Sequence, residues 1–295
     1  MSLIERALQK RKLSGGPPAQ SVEPGQPKTS RAVVPGDREG VAVLEPMAPF
    51  EASLRADEKD PMHLAWDLRE SSPLVSQLRN IRREIASLLD GRPARRRGTI
   101  ILVTSAVPGE GKSFLALGLA RVLAAEQDRR VALVDADLTR RRLTGIAGTG
   151  ARSGLVDCLA GGIAVSDALC RTGSPALNFL PSGQWRADVP NLMCSKMMDG
   201  VMESFRQCDG RHVFVVDTAP VLAFGETAYL AEHADLVALV IRADSTPRAA
   251  AEEALHKLAA ERPVAIVLNG VNGSLLDGYL GYRDHYGEYL PREAR

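Results

Sequence analysis

IILVTSAVPGEGKSFLALGLARVLAAE, residues 100–126, reads as a strand, a glycine-rich turn and a helix. Ile100–Thr104 is an apolar run without polar alternation, the pattern of a strand buried on both faces. SAVPGEGKS, Ser105 to Ser113, follows it, and a helix is predicted over 112–126. That order is the context a phosphate-binding P-loop requires. Gly109 and Gly111 let the main chain wrap an anion without Cβ clashes. The N–H groups of the turn and of the helix start then draw negative charge to them. In this reading Pro108, Gly109, Glu110, Gly111, Lys112, Ser113 and Phe114 cradle a nucleotide, Lys112 reaches its outer phosphates, and Ser113 holds Mg²⁺. The strict pattern opens on a glycine where this chain has Ala106.

Outward from the loop, strand and helix patterns alternate. Val131–Val134, Val213–Val216, Leu236–Ile241 and Ala265–Leu268 read as further buried strands, with helices near 192–207, 225–232 and 247–260. Such a series predicts an α/β fold, a doubly wound and mainly parallel sheet covered on both faces. Sites in such sheets lie at the carboxyl ends of the strands. Two of those ends carry carboxylates: VALVDADLTR supplies Asp135 and Asp137, and VFVVDTAP supplies Asp217. Either motif alone also suits a helix cap or a turn, but with the P-loop they specify a Mg-nucleotide site. Mg²⁺ keeps several waters and takes few protein ligands, so Ser113, Asp137 and Asp217 are the expected metal residues, directly or through water.

Four of the five tyrosines, Tyr279, Tyr282, Tyr286 and Tyr289, lie in the last 17 residues. Their spacing fits one face of a packed helix, which is the alternative to a chemical role. Against packing stand Gly278, Gly281 and Gly287, each costing about 1 kcal/mol in a helix relative to Ala. Asp277, Asp284 and Glu288 keep the segment polar. A nucleotide site followed by a run of phenols points to an enzyme that phosphorylates its own tail. A phenol with a pKa near 10 is a poor nucleophile at neutral pH, so positioning and charge neutralisation should dominate. The catalytic set is then Lys112, Asp135, Asp137 and Asp217, with Asp135 accepting or orienting the proton of the incoming tyrosine. Phosphorylation, adding about −1.5 to −2 charges per site, should drive the tail out of a carboxylate-lined cleft.

The rest of the 295-residue chain sets limits. A net charge of +1 gives no global field for nucleic acid, and no nucleic-acid partner is expected. The runs Arg92–Arg97 and Arg140–Arg142 read as solvated faces or as docking sites for phosphate or an acidic tail. Cys158, Cys170, Cys194 and Cys208 form no CxxC pair, which argues against zinc and against a disulfide framework. No apolar run approaches membrane-spanning length. Residues 1–60, Pro-, Gly- and Ser-rich with a short amphipathic helix at 3–12, read as a disordered segment. Residues 61–97 form a helical lead-in with Leu74, Leu78, Ile81, Ile85 and Leu88 on one side, 98–275 the P-loop domain, and 276–295 the tyrosine-rich tail.

Ser105–Ser113, Val131–Asp137, Val213–Pro220 and the tyrosine tail together resemble the bacterial tyrosine kinases (BY-kinases) of capsule and exopolysaccharide loci. The LPSG run at 180–183, Ser245-Thr246-Pro247 and VLNGV at 267–271 look like that family too, and the opening MSLIERAL looks like its exosortase-associated branch. The resemblance implies a P-loop NTPase of the deviant Walker type, akin to septum-site and partitioning ATPases. Those ATPases carry a signature lysine where Val107 stands here, which favours the kinase branch. It further implies ATP and Mg²⁺ as cofactors, trans-autophosphorylation of the tail, and a contact from Asn269 to the adenine. The implied partners are a separate membrane activator of the polysaccharide copolymerase type, further copies of the chain and a cognate phosphatase. The implied location is cytoplasmic, at the inner membrane through that partner. The competing expectation is a non-kinase ATPase switch that positions a membrane assembly. Ala219 replaces the first proline of an Asp-x-Pro-Pro pattern, Arg140–Arg142 replace an Arg-Pro pair, and the E-x-x-R-x-x-R assembly motif appears as Ser76, Arg79 and Arg82.

Overall fold

A computed structural model describes residues 51–52, 73–90, 97–150, 152–258 and 262–271. The predicted helix at 3–12, residues 13–50 and 53–60, residues 61–72 and 91–96 of the lead-in with Arg92, Arg95 and Arg96, and the tail tyrosines lie outside the described residues.

In chain order the strands are β1 (Glu51–Ala52), β2 (Thr99–Ser105), β3 (Arg130–Asp135), β4 (Cys170–Thr172), β5 (Leu177–Leu180), β6 (His212–Asp217), β7 (Leu236–Arg242) and β8 (Val264–Asn269). The helices are α1 (Pro73–Asp90), α2 (Lys112–Ala124), α3 (Arg142–Ile146), α4 (Leu155–Leu159), α5 (Val165–Ala168), α6 (Val189–Met193), α7 (Lys196–Gln207), α8 (Gly225–Glu232) and α9 (Arg248–Leu258). One sheet runs β1-β4-β5-β3-β6-β2-β7-β8. Every neighbouring pair is parallel except the antiparallel β4–β5. The mainly parallel α/β sheet of the sequence reading is thus what forms, with each of its five strands in place.

Parallel strands need long crossovers, and the helices that supply them cover both faces. Alternation within β2 divides the core: Ile100 and Leu102 face one layer, and Ile101 and Val103 the other. In the first layer α7 buries Met198, Val201, Met202 and Phe205, and the Phe205 ring stacks on Phe214 with centroids 4.2 Å apart. In the second layer α2 lies along the sheet and α1 lies on α2. A Cβ on Gly118 would come within 2.8 Å of Leu78, so the bare backbone at that position is what lets α1 approach.

The apolar side of α1 differs from expectation at one residue. Leu78 and Ile85 are buried, but Leu88 is 45 % exposed, while Val75 is buried and Leu89 partly so. A 3.6-residue repeat places position 89 rather than 88 one turn beyond 85. In the assembly-motif positions, Ser76 and Arg79 are exposed, and Arg82 is tied within the chain to Glu126 at 2.5 Å. Glu51–Ala52, read as part of a structureless segment, pairs in parallel with Arg171 and Thr172 at the sheet edge.

Candidate active site

The carboxyl ends of β2, β3 and β6 meet at one edge of the sheet. Register sets Val103 beside Asp217 and Asp217 beside Asp135, so two carboxylates leave adjacent strands side by side. Winding runs from β2 outward to β3 on one side and later to β7 on the other, so the crevice above β2 is a switch point.

The loop from β2 to α2 is braced from within. Gly109 and Gly111 take positive φ, 92° and 99°, as the turn requires. A Cβ on Gly111 would lie 2.1 Å from the Asn269 side-chain nitrogen, so that glycine also makes room for a tether. The tether is the Asn269 amide, which donates to the Glu110 carbonyl at 2.8 Å. Glu110 is buried: its carboxylate accepts from the Val107 N–H at 2.7 Å and from the Thr246 hydroxyl. Ala106 is fully buried in the core and absent from the positive-φ residues, so the loop has no need of glycine there. Val107 packs against the same apolar layer.

Above this loop lies a cleft of about 470 Å³, lined by Pro108, Gly109, Gly111, Lys112, Ser113, Phe114 and Asn269 together with Arg140, Arg142, Pro220, Arg242 and Gly270. Of the predicted cradle residues, Glu110 alone turns its side chain away. Its carboxylate serves as a brace, and its main-chain N–H is what it can offer a phosphate. Lys112 and Ser113 open α2, where the first N–H groups of a helix have no intrahelical partner. Lys112 and Ser113 therefore border the cleft together with the main chain of the loop.

The three aspartates lie beneath the cleft, each at most 1 % exposed. Asp137 accepts from the Lys112 ammonium at 2.5 Å and from the Arg140 N–H at 3.1 Å. Lys112 also lies 3.8 Å from Asp217. Burial pulls the Lys112 ammonium down, but the charges of Asp217 and Asp137 outweigh it and its pKa ends above the ordinary value. Asp135 accepts from Thr144 twice, from the N–H at 2.8 Å and the hydroxyl at 2.7 Å. Its other oxygen, and both oxygens of Asp217, are buried without a hydrogen bond. Loss of solvent lifts the Asp135 carboxyl to about 6, against the Thr144 bonds, and the Asp217 carboxyl to about 7, against the Lys112 charge.

Unsatisfied buried carboxylate oxygens are costly and rare. The two on Asp217, beside Ser113 and Lys112, fit a hard divalent cation, which takes oxygen ligands. Among the described residues no set of three or more His, Cys, Asp or Glu side chains converges on a metal position.

Residues 101–280 match the model of the CobQ/CobB/MinD/ParA nucleotide binding domain. The tyrosine-protein kinase CpsD of Streptococcus agalactiae is 30 % identical over 203 residues, 66 % of this chain and 83 % of that one. The chain belongs to the bacterial tyrosine kinase family. EpsB of Ralstonia solanacearum is 31 % identical over 221 residues, and the match spans 74 % of this chain but only 28 % of EpsB. The solved BceF tyrosine kinase domain is 28 % identical with a TM-score of 0.59, covering 71 % of this chain and 82 % of that domain.

Against this bacterial tyrosine kinase fold, three contributors escaped the sequence reading. Thr144 clamps Asp135 from α3, a helix too short to show a period. Thr246 bonds Glu110, and it sits in a Ser-Thr-Pro stretch that the family resemblance had flagged without a role. Arg242 enters the cleft from the end of β7, where nothing in the local pattern marks it. The cleft itself corrects one expectation. Its rim is basic rather than carboxylate-lined, because the aspartates are sealed below the loop.

Proposed function

We propose that this chain is an ATP-dependent protein tyrosine kinase that phosphorylates Tyr279, Tyr282, Tyr286 and Tyr289 of another copy. The observation that carries the reading is the pairing of a P-loop cleft with unpaired buried oxygens of Asp135 and Asp217 directly below it. ATP enters with its phosphates on the N–H groups of the loop and α2. Lys112 transfers its ammonium from Asp137 to the outer phosphates, where charge develops during transfer. Ser113, Asp137 and Asp217 would hold Mg²⁺. Bound there, Mg²⁺ supplies neutralisation of phosphate charge. Asp135 takes or orients the phenolic proton on the oxygen that Thr144 leaves free. Asn269 bridges the loop and the adenine side of the cleft.

The family resemblance extends the reading to control of exopolysaccharide production and export. A membrane protein of the copolymerase type activates the kinase, which works at the inner membrane through it, and a phosphatase reverses the modification. Among the described residues no helix is long and apolar enough to cross a membrane.

The test is incubation of the pure protein with labelled ATP and Mg²⁺, beside a variant cut after Ser274. Phosphotyrosine on the full chain and none on the shortened one is expected. Equal label on both removes the tail assignment, and steady phosphate release without phosphotyrosine favours a non-kinase switch.

A further inference from the structure

The side chains of the arginine run 140–142 have no part in the chemistry above, and the fold divides them. Arg141 takes a left-handed backbone, φ 49°, and turns its guanidinium into the domain. There Nε donates to the Ser182 hydroxyl at 3.0 Å and Nη2 to the Gly150 carbonyl at 3.4 Å. Arg140 and Arg142, on either side of that kink, are exposed and both line the P-loop cleft. Arg242 faces them from β7, its guanidinium 3.4 Å from the Gly109 carbonyl. No Asp or Glu side chain lines the cleft among the described residues. The entrance therefore carries charge of one sign, and a guanidinium matches a carboxylate through two parallel hydrogen bonds.

The tail supplies the complement. Asp277 stands two residues before Tyr279, Asp284 two before Tyr286, and Glu288 one before Tyr289. Tyr282 follows Leu280 and Gly281 and has no acid on that side. We propose that Arg140 and Arg142 select the substrate tyrosine by a carboxylate one or two residues before it in sequence. The ligand is an acidic-flanked tyrosine segment, here the tail of a second copy of this chain. This rests on the kinase reading of the site. It makes Tyr282 the slowest acceptor of the four, and it gives the left-handed turn at Arg141 a purpose, that of splaying its two neighbours onto the rim.

The test uses the full chain with its four tail tyrosines changed to Phe, so that label reports only on added peptide. The peptides span residues 276–295: one native, one with Asp277→Asn, Asp284→Asn and Glu288→Gln, and one with lysine at those three positions. The amide peptide should raise the peptide KM about tenfold at low salt with kcat nearly unchanged, and the difference should shrink as salt is added. A second enzyme carrying Arg140→Glu and Arg142→Glu should prefer the lysine peptide to the native one, a reversal that a merely structural role does not produce. Equal KM for native and amide peptides overturns the proposal on the first enzyme alone. A charge-reversed enzyme that changes the KM of ATP while keeping its peptide preference overturns it too, assigning the arginines to the nucleotide. No phosphorylation of any peptide, with nucleotide still bound, removes the kinase reading and this inference with it.

Discussion

Solvent exclusion holds the Asp217 carboxyl near 7 and the Asp135 carboxyl near 6, against an ordinary value of 3.8. Between the ordinary value and these raised ones, the folded chain binds more protons than the unfolded chain. Stability without Mg²⁺ and nucleotide should therefore fall as pH rises from about 4 to about 7. Urea unfolding across that range reads the slope. Asp217→Asn should flatten it and leave the chain as stable or more so at pH 8, since a buried charge with no hydrogen bond is removed. The same change should lower phosphotransfer by roughly 10- to 100-fold or more. A variant that loses stability at pH 8 would show that the Lys112–Asp217 attraction outweighs the burial cost. At this scale the sequence foretold which residues gather at the strand ends but not what braces them. Lys112, Ser113 and the aspartates were legible because strand-end carboxylates and a glycine turn leave a local signature. Thr144 and Thr246 were not, because each meets its partner, Asp135 or Glu110, only through tertiary folding. The direction of the Glu110 side chain was not legible for the same reason, since a neighbour of two glycines reads as cradle whichever way it points.

Among the elements, α1 tests how far the lead-in belongs to the domain. Leu78 is 2 % exposed and meets the open flank of Gly118 in the middle of α2. Leu78→Ala should cost about 2–5 kcal/mol by removing buried carbon and leaving a cavity. Leu88→Ala, at a 45 % exposed position, should cost under about 0.5 kcal/mol. Denaturant midpoints for the two variants decide it, and similar losses would mean that the helix packs through a different side. Long elements with a buried stripe or an unbroken apolar run were readable in advance. The strands β4 and β5, of three and four residues, and the helices α3 to α6, of four or five, were not. Pieces that short complete no period, and long-range contacts decide their state.

For the whole molecule, the nucleotide should act as a structural ligand as well as a substrate. The cleft lies over the centre of the sheet, so a bound nucleotide ties α2, β3, β6 and β8 together. Binding only the folded state at one hundred times Kd adds about 2.7 kcal/mol. For a domain of this size each kcal/mol moves Tm by about 2–4 °C, so Mg-ADP should raise Tm by roughly 5–10 °C. Lys112→Met should abolish that rise, and a melting curve indifferent to Mg-ADP in the unaltered chain would count against nucleotide binding altogether. The global architecture was legible because a doubly covered parallel sheet leaves its mark in every strand. How the tail would meet the cleft was not, because in the proposed reaction the two belong to different copies.

Lys112 and Ser113 are the opening residues of α2, and α1 rests on the same rod at Gly118, less than two turns further on. Whatever grips the lead-in helix thereby holds one end of a short mechanical lever whose other end carries the phosphate seat. A displacement of α1 would thus have a direct route through the Leu78–Gly118 contact to the phosphate loop, with no rearrangement of the sheet between them.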